Sequence, residues 1–235
     1  MEERIQKIIA ARTDLSRRKA EELIREGRVR LNGNTAALGD CADPEEDVVE
    51  IDGKRLAKAP EHVYLMLNKP RGYVTTMSDE RGRRTVCELV EDCGARVYPV
   101  GRLDLGSEGL LLMTNDGDFA NRVMHPRHEI VKTYLAWVNH FAPEKLEHLR
   151  DLRELEGEAI RPPKLRLVHA RADGALLEIR IHEGKNRQVR RMCTAVGLHV
   201  TRLRRIGEGC LKLGDLAVGM WRLLTEDEVE AMKNM

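Results

Sequence analysis

The stretch VGRLDLGSEGLLLMTNDGDFANRVMHP, residues 100–126, decides how the chain folds. Tyr98 to Val100 reads as a short strand that runs into the turn Gly101-Arg102-Leu103-Asp104. Leu110 to Thr114 is an apolar strand, and Asn115-Asp116-Gly117-Asp118 ends it with strong turn residues. Residues 118–124 form a helical turn before His125-Pro126. Asp104 stands out. A carboxylate among Gly101, Gly106 and Gly109, with an apolar strand on either side, is placed by tight backbone geometry. An Asp in such a turn also has a plainer use, bonding its own backbone.

The same alternation continues on both sides. His62 to Leu67 is a strand that ends in the basic turn Asn68-Lys69-Pro70-Arg71-Gly72, where Lys69 and Arg71 read as phosphate contacts. Ile130 to Val138 is a strand carrying Lys132 and Tyr134. Pro143 opens a helix through about residue 150, and Ala175 to Ile181 is a strand. Asn186 to Ala195 is helical and stops at Gly197, and Thr225 with Glu228 forms a capping box for a last helix. Trp137 and Trp221 read as core. Strands outnumber helices and lack a regular βαβ rhythm, so the expected class is α+β, with a mixed, mostly antiparallel sheet flanked by helices.

Residues 1–60 read as a separate module, and residues 61–235 as the larger domain. Ile5, Ile8 and Ile9 give the stripe of one amphipathic helix. Ser16 caps a second, which buries Ala20, Leu23 and Ile24 and stops at Gly27. Val29 and Leu31 lead into an Asn32-Gly33 hairpin turn. Val48 to Ile51 reaches a second turn at Asp52-Gly53, and the polar stretch Lys54 to Glu61 reads as a linker. Arg17, Arg18, Lys19 and Arg25 on the second helix, with Arg28 on the strand, present one basic surface.

The whole chain has 235 residues and a formal net charge of +1, which hides strong local charge. Residues 1–33 hold nine basic and six acidic side chains, and residues 34–62 hold three and eight. Residues 181–205 hold Lys185, Arg187, Arg190, Arg191, Arg202, Arg204 and Arg205 against Glu183 alone. Two basic patches on a near-neutral chain match a local polyanion footprint. No apolar run approaches the roughly 18 residues of a membrane span, and the start lacks a signal-peptide core. A cytoplasmic monomer with no membrane partner is expected. The five cysteines form no CxxC pair and read as reduced thiols. His125 and His128 have no third ligand near them in sequence, so no metal is expected.

LSRRKAEELIREGRVRLNG, residues 15–33, resembles the S4 RNA-binding module, and the likeness spans roughly residues 3–50. LNKPRGYVTT, VGRLDLGSEGLLLMTNDGDFANRVMHP, IVKTYLAWV and IHEGKNRQVRRMCTAVG occur in the order and spacing of the RsuA/RluB-type pseudouridine synthases. The resemblance covers essentially the whole chain, because those enzymes also carry an N-terminal S4 module.

That resemblance implies an rRNA uridine isomerase with Asp104 as the catalytic carboxylate. It places Tyr134 against the target base and Arg190 in a pair with the carboxylate. Arg102 would hold the flipped nucleotide or fill its place. Lys185, Arg187 and Arg191 join the RNA-binding residues, although Arg187 sits where subgroups of the family vary. Gly106 stands where members often have a polar residue. The reaction breaks N1–C1′, rotates the uracil and forms C5–C1′, so it needs no cofactor. It needs an ionised carboxylate, a flat platform and a positive charge that keeps the acid deprotonated. The carboxylate could act as a nucleophile or as a base, and either role needs it ionised near C1′ and C2′. The MHPRHEI run and the stretch from Arg190 to Val200 look closest to the RluB branch, which points to 23S rRNA, with 16S rRNA as the alternative. A non-catalytic ribosome-assembly protein is the reading from another class. It has no use for a carboxylate facing RNA phosphates.

Overall fold

Helix α1 (Ile5–Arg12) follows a short strand, Glu3–Arg4, that pairs with Cys41–Ala42, and it buries Ile5, Ile8 and Ile9, one apolar stripe. Helix α2 (Arg17–Arg25) starts at Ser16, whose hydroxyl accepts the Lys19 amide at 3.1 Å. Its buried face is Ala20, Leu23 and Ile24. The strand Val29–Leu31 turns through Asn32 and Gly33, at φ of 50° and 82°, into Asn34–Thr35. Only a primed hairpin turn takes two left-handed residues in a row, which is why Asn-Gly sits there. The strand Val49–Ile51 pairs on the other side of Val29–Leu31.

The structure, a computed structural model, describes residues 2–235, and the chain divides after His62 into two compact units. In the first unit the expected linker from Lys54 to Glu61 needs correction. Lys54–Arg55 is a strand paired with Glu50 and Ile51, and the Leu56 amide donates to the Val49 carbonyl at 2.9 Å. The Asp52-Gly53 turn closes this hairpin, so the chain leaves the sheet only after Leu56.

The second unit is built on a nine-stranded sheet. Its main path runs Lys164–Ala170, Gly174–Ile181, Lys132–Asn139, His199–Glu208, Ser107–Thr114, Tyr64–Lys69, Trp221–Leu223. Every pairing on that path is antiparallel except the central one, where Ser107–Thr114 and His199–Glu208 run parallel. Both faces of the sheet are covered. Leu65, Leu67, Leu111 and Met113 pack on one side with α4 (Pro143–Arg150) and α5 (Gln188–Ala195). Met66, Leu110 and Leu112 pack on the other with α3 (Gly117–Met124) and α6 (Glu226–Lys233). Double coverage explains why the Ser107–Thr114 strand is buried at every position.

The sequence reading missed His199–Glu208, Lys164–Ala170 and Trp221–Leu223. In the first of these, arginines stand at positions that face inward as well as outward, which masks the alternation. Among the described residues no helix is long and apolar enough to cross a membrane.

The parallel seam depends on Gly109. It sits opposite Arg205 at φ of 106°, and a Cβ there would lie 2.1 Å from the Arg205 carbonyl oxygen. Gly109→Ala should therefore cost about 3 kcal/mol or more in urea unfolding, since strain and a backbone clash add. Gly101→Ala, with φ of 75° and no atom within 4 Å of its Cβ, is the control. It should cost about 1 kcal/mol. Equal losses would show that the close approach at Gly109 is not what fixes the seam.

Candidate active site

The loop from Gly101 to Ser107 joins the half-buried strand Tyr98–Val100 to the fully buried strand Ser107–Thr114, and its backbone is tied from every side. The Thr75 hydroxyl donates to the Leu103 carbonyl at 2.7 Å. The Gly72 amide donates to Leu105 at 2.8 Å. Arg190 donates to Gly106 at 3.1 Å and to Val200 at 3.0 Å. The Lys69 ammonium donates to Ser107 at 2.9 Å, to Asp104 at 3.2 Å and to Pro70 at 3.1 Å. Five consecutive carbonyls, 103 through 107, thus each have a donor from outside the loop. The loop holds Asp104 in one place.

Above the loop lies a cavity of about 770 Å³. Asp104, Arg102, Tyr134, Leu203, Arg205 and Arg187 are among the side chains that line it. The Asp104 carboxylate is partly exposed to it, and Arg187 Nη1 stands 3.6 Å from Asp104 Oδ2. Arg187 immediately precedes α5 with φ of 47°, a left-handed conformation that costs a bulky residue on the order of 1 kcal/mol. Tyr134 is buried on its strand, and burial holds its phenol above the ordinary pKa, so it stays protonated. Burial alone would pull the Arg205 guanidinium down. Glu208 and the Tyr134 phenol more than offset that, and its pKa is raised.

The structure brings Asp104, Arg102, Tyr134, Lys185 and Arg187 to one cavity. Two expectations need correction. Lys69 is not an exposed phosphate contact. It is fully buried, because the strand that begins at Tyr64 runs on through it and aims it beneath the Asp104 loop. Burial pulls its ammonium down to about 8, with Asp104 and Glu108 opposing the shift. Arg190 does not make the ion pair with Asp104. Its guanidinium is spent on the Val200 and Gly106 carbonyls, and Arg187, one turn earlier, is the cation beside the carboxylate.

Of the other nominated cations, Arg71 is exposed, and Arg191 is held by Glu156 at 2.6 Å. Lys185 meets Glu158 at 3.0 Å. In the first unit Arg17 and Arg18 are exposed on α2. There Lys19 pairs with Glu22 at 2.8 Å, Arg25 with Glu21 at 3.5 Å and Arg28 with Asp52 at 2.6 Å. Arg205 was read only as one charge of a basic run, and Glu208 was not read at all. Leu203 in a strand would have placed Arg205 on the same inward face, had that strand been recognised. Among the described residues no group of three or more His, Cys, Asp or Glu side chains is placed to hold a metal ion.

Comparison with known proteins agrees with this architecture. The S4 domain family matches residues 3–48, and the family described as RNA pseudouridylate synthase matches residues 63–195. A protein of Aquifex aeolicus named as an uncharacterized RNA pseudouridine synthase is 45% identical over 232 residues, covering 97% of this chain and 93% of its own. Ribosomal large subunit pseudouridine synthase B of Bacillus subtilis is 42% identical over 235 residues, covering 98% and 96%. A crystal structure of a pseudouridylate synthase superposes with a TM-score of 0.69 at 31% identity, over 97% of this chain and 99% of that one. The chain belongs to the RNA pseudouridylate synthase family and carries an S4 domain ahead of the synthase fold.

Lys69 gives the site a pH signature. Its folded pKa of about 8 lies below the ordinary 10.5, so the unfolded chain binds that proton more tightly. Its contribution should therefore make the fold more stable as pH rises from about 8 to about 10.5, by about 3 kcal/mol in total. Urea unfolding of the wild type and Lys69→Met across that window checks this. The stability gap in favour of wild type should widen with pH, and a gap independent of pH would mean that Lys69 titrates normally.

Proposed function

We propose that this protein isomerises a uridine of 23S ribosomal RNA to pseudouridine, with Asp104 as its catalytic carboxylate. The observation that carries the reading is the immobilised Asp104 at the wall of a cavity shared with Tyr134, with Arg187 3.6 Å from its carboxylate. Bond for bond, the reaction asks little else of a protein. The N1–C1′ bond breaks, the uracil turns, C5–C1′ forms, C5 gives up a proton and N1 gains one. Atoms and electrons balance with no redox partner. A target base that leaves its stack costs a few kcal/mol, which a recessed aromatic platform and a cationic rim repay.

Within this reading Tyr134 faces the base, Arg187 sets a positive charge beside the Asp104 carboxylate, and Lys69 and Arg190 hold the loop that carries it. Arg102, at the cavity mouth in the same turn, meets the flipped nucleotide. Residues 1–60 form the S4 RNA-binding module and residues 61–235 the catalytic domain. The exposed Arg17 and Arg18 of α2 meet phosphates, joined at the second unit by Arg71 and Lys185. The 23S assignment is supported by relatives in Bacillus subtilis and Vibrio cholerae, both named ribosomal large subunit pseudouridine synthase B. The protein acts as a cytoplasmic monomer.

Asp104→Asn should reduce pseudouridine formation at least about 10³-fold while leaving RNA affinity within about threefold. Carbodiimide mapping of both rRNAs in a deletion strain identifies the target. Loss of a 16S mark with all 23S marks intact would redirect the assignment, and full turnover by Asp104→Asn would refute the catalytic role. Reversing Arg17 and Arg18 to Glu should weaken rRNA binding and make its dependence on log salt shallower by about 2. An unchanged slope would place the RNA elsewhere on the module.

A further inference from the structure

The floor of the cavity carries a feature that the chemistry at Asp104 does not use. Arg205 and Glu208 lie three apart on one strand, a spacing that normally puts side chains on opposite faces. A bulge changes this. The neighbouring strand pairs Lys132 with Glu208 and Thr133 with Gly207, then skips to pair Tyr134 with Arg205. Both charged side chains therefore reach the face that bears Tyr134, and both line the cavity together with Lys132.

The pair is 2% exposed on each side, on a face whose buried neighbours include Tyr134, Leu203 and Ile181. Burying two ions costs several kcal/mol each, and apolar residues of similar size would serve stability as well. The pair is also incompletely satisfied. Arg205 Nε donates to the Leu110 carbonyl at 2.7 Å, which fixes the guanidinium. Its Nη2 meets Glu208 Oε2 at 3.3 Å as an ion pair, yet neither atom completes a hydrogen bond. On the other side Lys132 Nζ stands 3.9 Å from Glu208 Oε1. The order across the floor is cation, carboxylate, cation, or donor, acceptor, donor.

We infer that Arg205, Glu208 and Lys132 read the Watson–Crick edge of the target uracil, Glu208 accepting N3–H while the two cations donate to O2 and O4. The uracil edge is acceptor, donor, acceptor, the complement of this row. Cytosine presents a bare N3 to the carboxylate and an amino group to a cation, so both contacts turn repulsive. The row also suits a base that must turn over. A half-turn about the axis through C6 and N3 exchanges N1 with C5 and O2 with O4, and N3–H stays in place. A carboxylate on that axis with a cation on each side binds the detached base equally before and after the turn. The cations also stabilise the negative charge that O2 and O4 carry once N1–C1′ has broken.

This inference rests on the uridine isomerase reading, and its test separates the two. Hairpin RNAs carrying the mapped target as uridine or cytidine are titrated against the full chain by fluorescence anisotropy. Wild type is expected to favour uridine at least about tenfold, because a polar site rejects a mismatched partner strongly. Glu208→Gln keeps the shape but offers N–H to cytosine N3, and should bring the ratio within about threefold. No wild-type preference, or a preference that Glu208→Gln leaves intact, overturns the inference. If Glu208→Gln does not fold, wild type is titrated with 3-methyluridine at the target. A loss of about tenfold or more supports the N3–H contact, and equal affinity overturns it. Wild type that modifies no uridine at all would sink the underlying reading as well, whereas turnover with no edge preference sinks only this inference.

Discussion

A buried ammonium holds the site together. Lys69 has three protons and spends them on the carbonyls of Pro70, Asp104 and Ser107. Ordering a loop residue costs about 1–2 kcal/mol, and a seven-residue turn around a charged side chain would not stay fixed unaided. Charge-assisted bonds from Lys69 and Arg190, with neutral ones from Thr75 and Gly72, offset that cost at five successive carbonyls. The same arrangement sets local charge. Desolvation weakens the hold of Lys69 on its proton, and the negative charge of Asp104 works the other way. The carboxylate and its support are therefore coupled.

The sheet supplies the rest of the geometry. The parallel seam at Gly109 brings the strand after the Asp104 loop against the strand that carries Leu203 and Arg205. Antiparallel pairing then sets Tyr134 beside Arg205. In this way three segments far apart in sequence meet at one cavity, and two apolar layers cover the sheet behind it. Polar and charged groups at the site are placed by rigid strands, with Arg187 added from the position just before α5. Such a scaffold tolerates buried charge because each group has a fixed partner or faces the cavity.

Local chemistry made much of this legible in the sequence. The Ser16 cap, the Asn32-Gly33 turn, the α1 and α2 stripes and the capping box at Thr225 are all decided within a few residues, and all occur as read. Glycines and apolar strands around Asp104 marked it out, but those neighbours fit a turn-stabilising Asp equally well, and the catalytic role proposed for it came from the family resemblance. What escaped was set by long-range contacts. Lys69 looks like a surface residue in a Pro-Gly turn, and only the extension of its strand reveals that it is buried. Arg187, Arg190 and Arg205 form one basic run in sequence. In the fold the first pairs with a carboxylate, the second holds backbone and the third lies on a cavity floor. No composition-based reading separates these fates, because each depends on which strand or loop stands opposite.

In the proposed reaction the tied loop holds the Asp104 carboxylate where the ribose and uracil must react. Asp104→Glu keeps the charge and acidity and moves the carboxylate by one methylene, so it tests position apart from chemistry. In single-turnover pseudouridine formation at saturating enzyme, a misplacement of this size should slow the rate about 10²-fold or more with RNA affinity unchanged. A rate within about threefold of wild type would contradict the claim, because a carboxylate that works equally well one methylene away is not positioned by its loop.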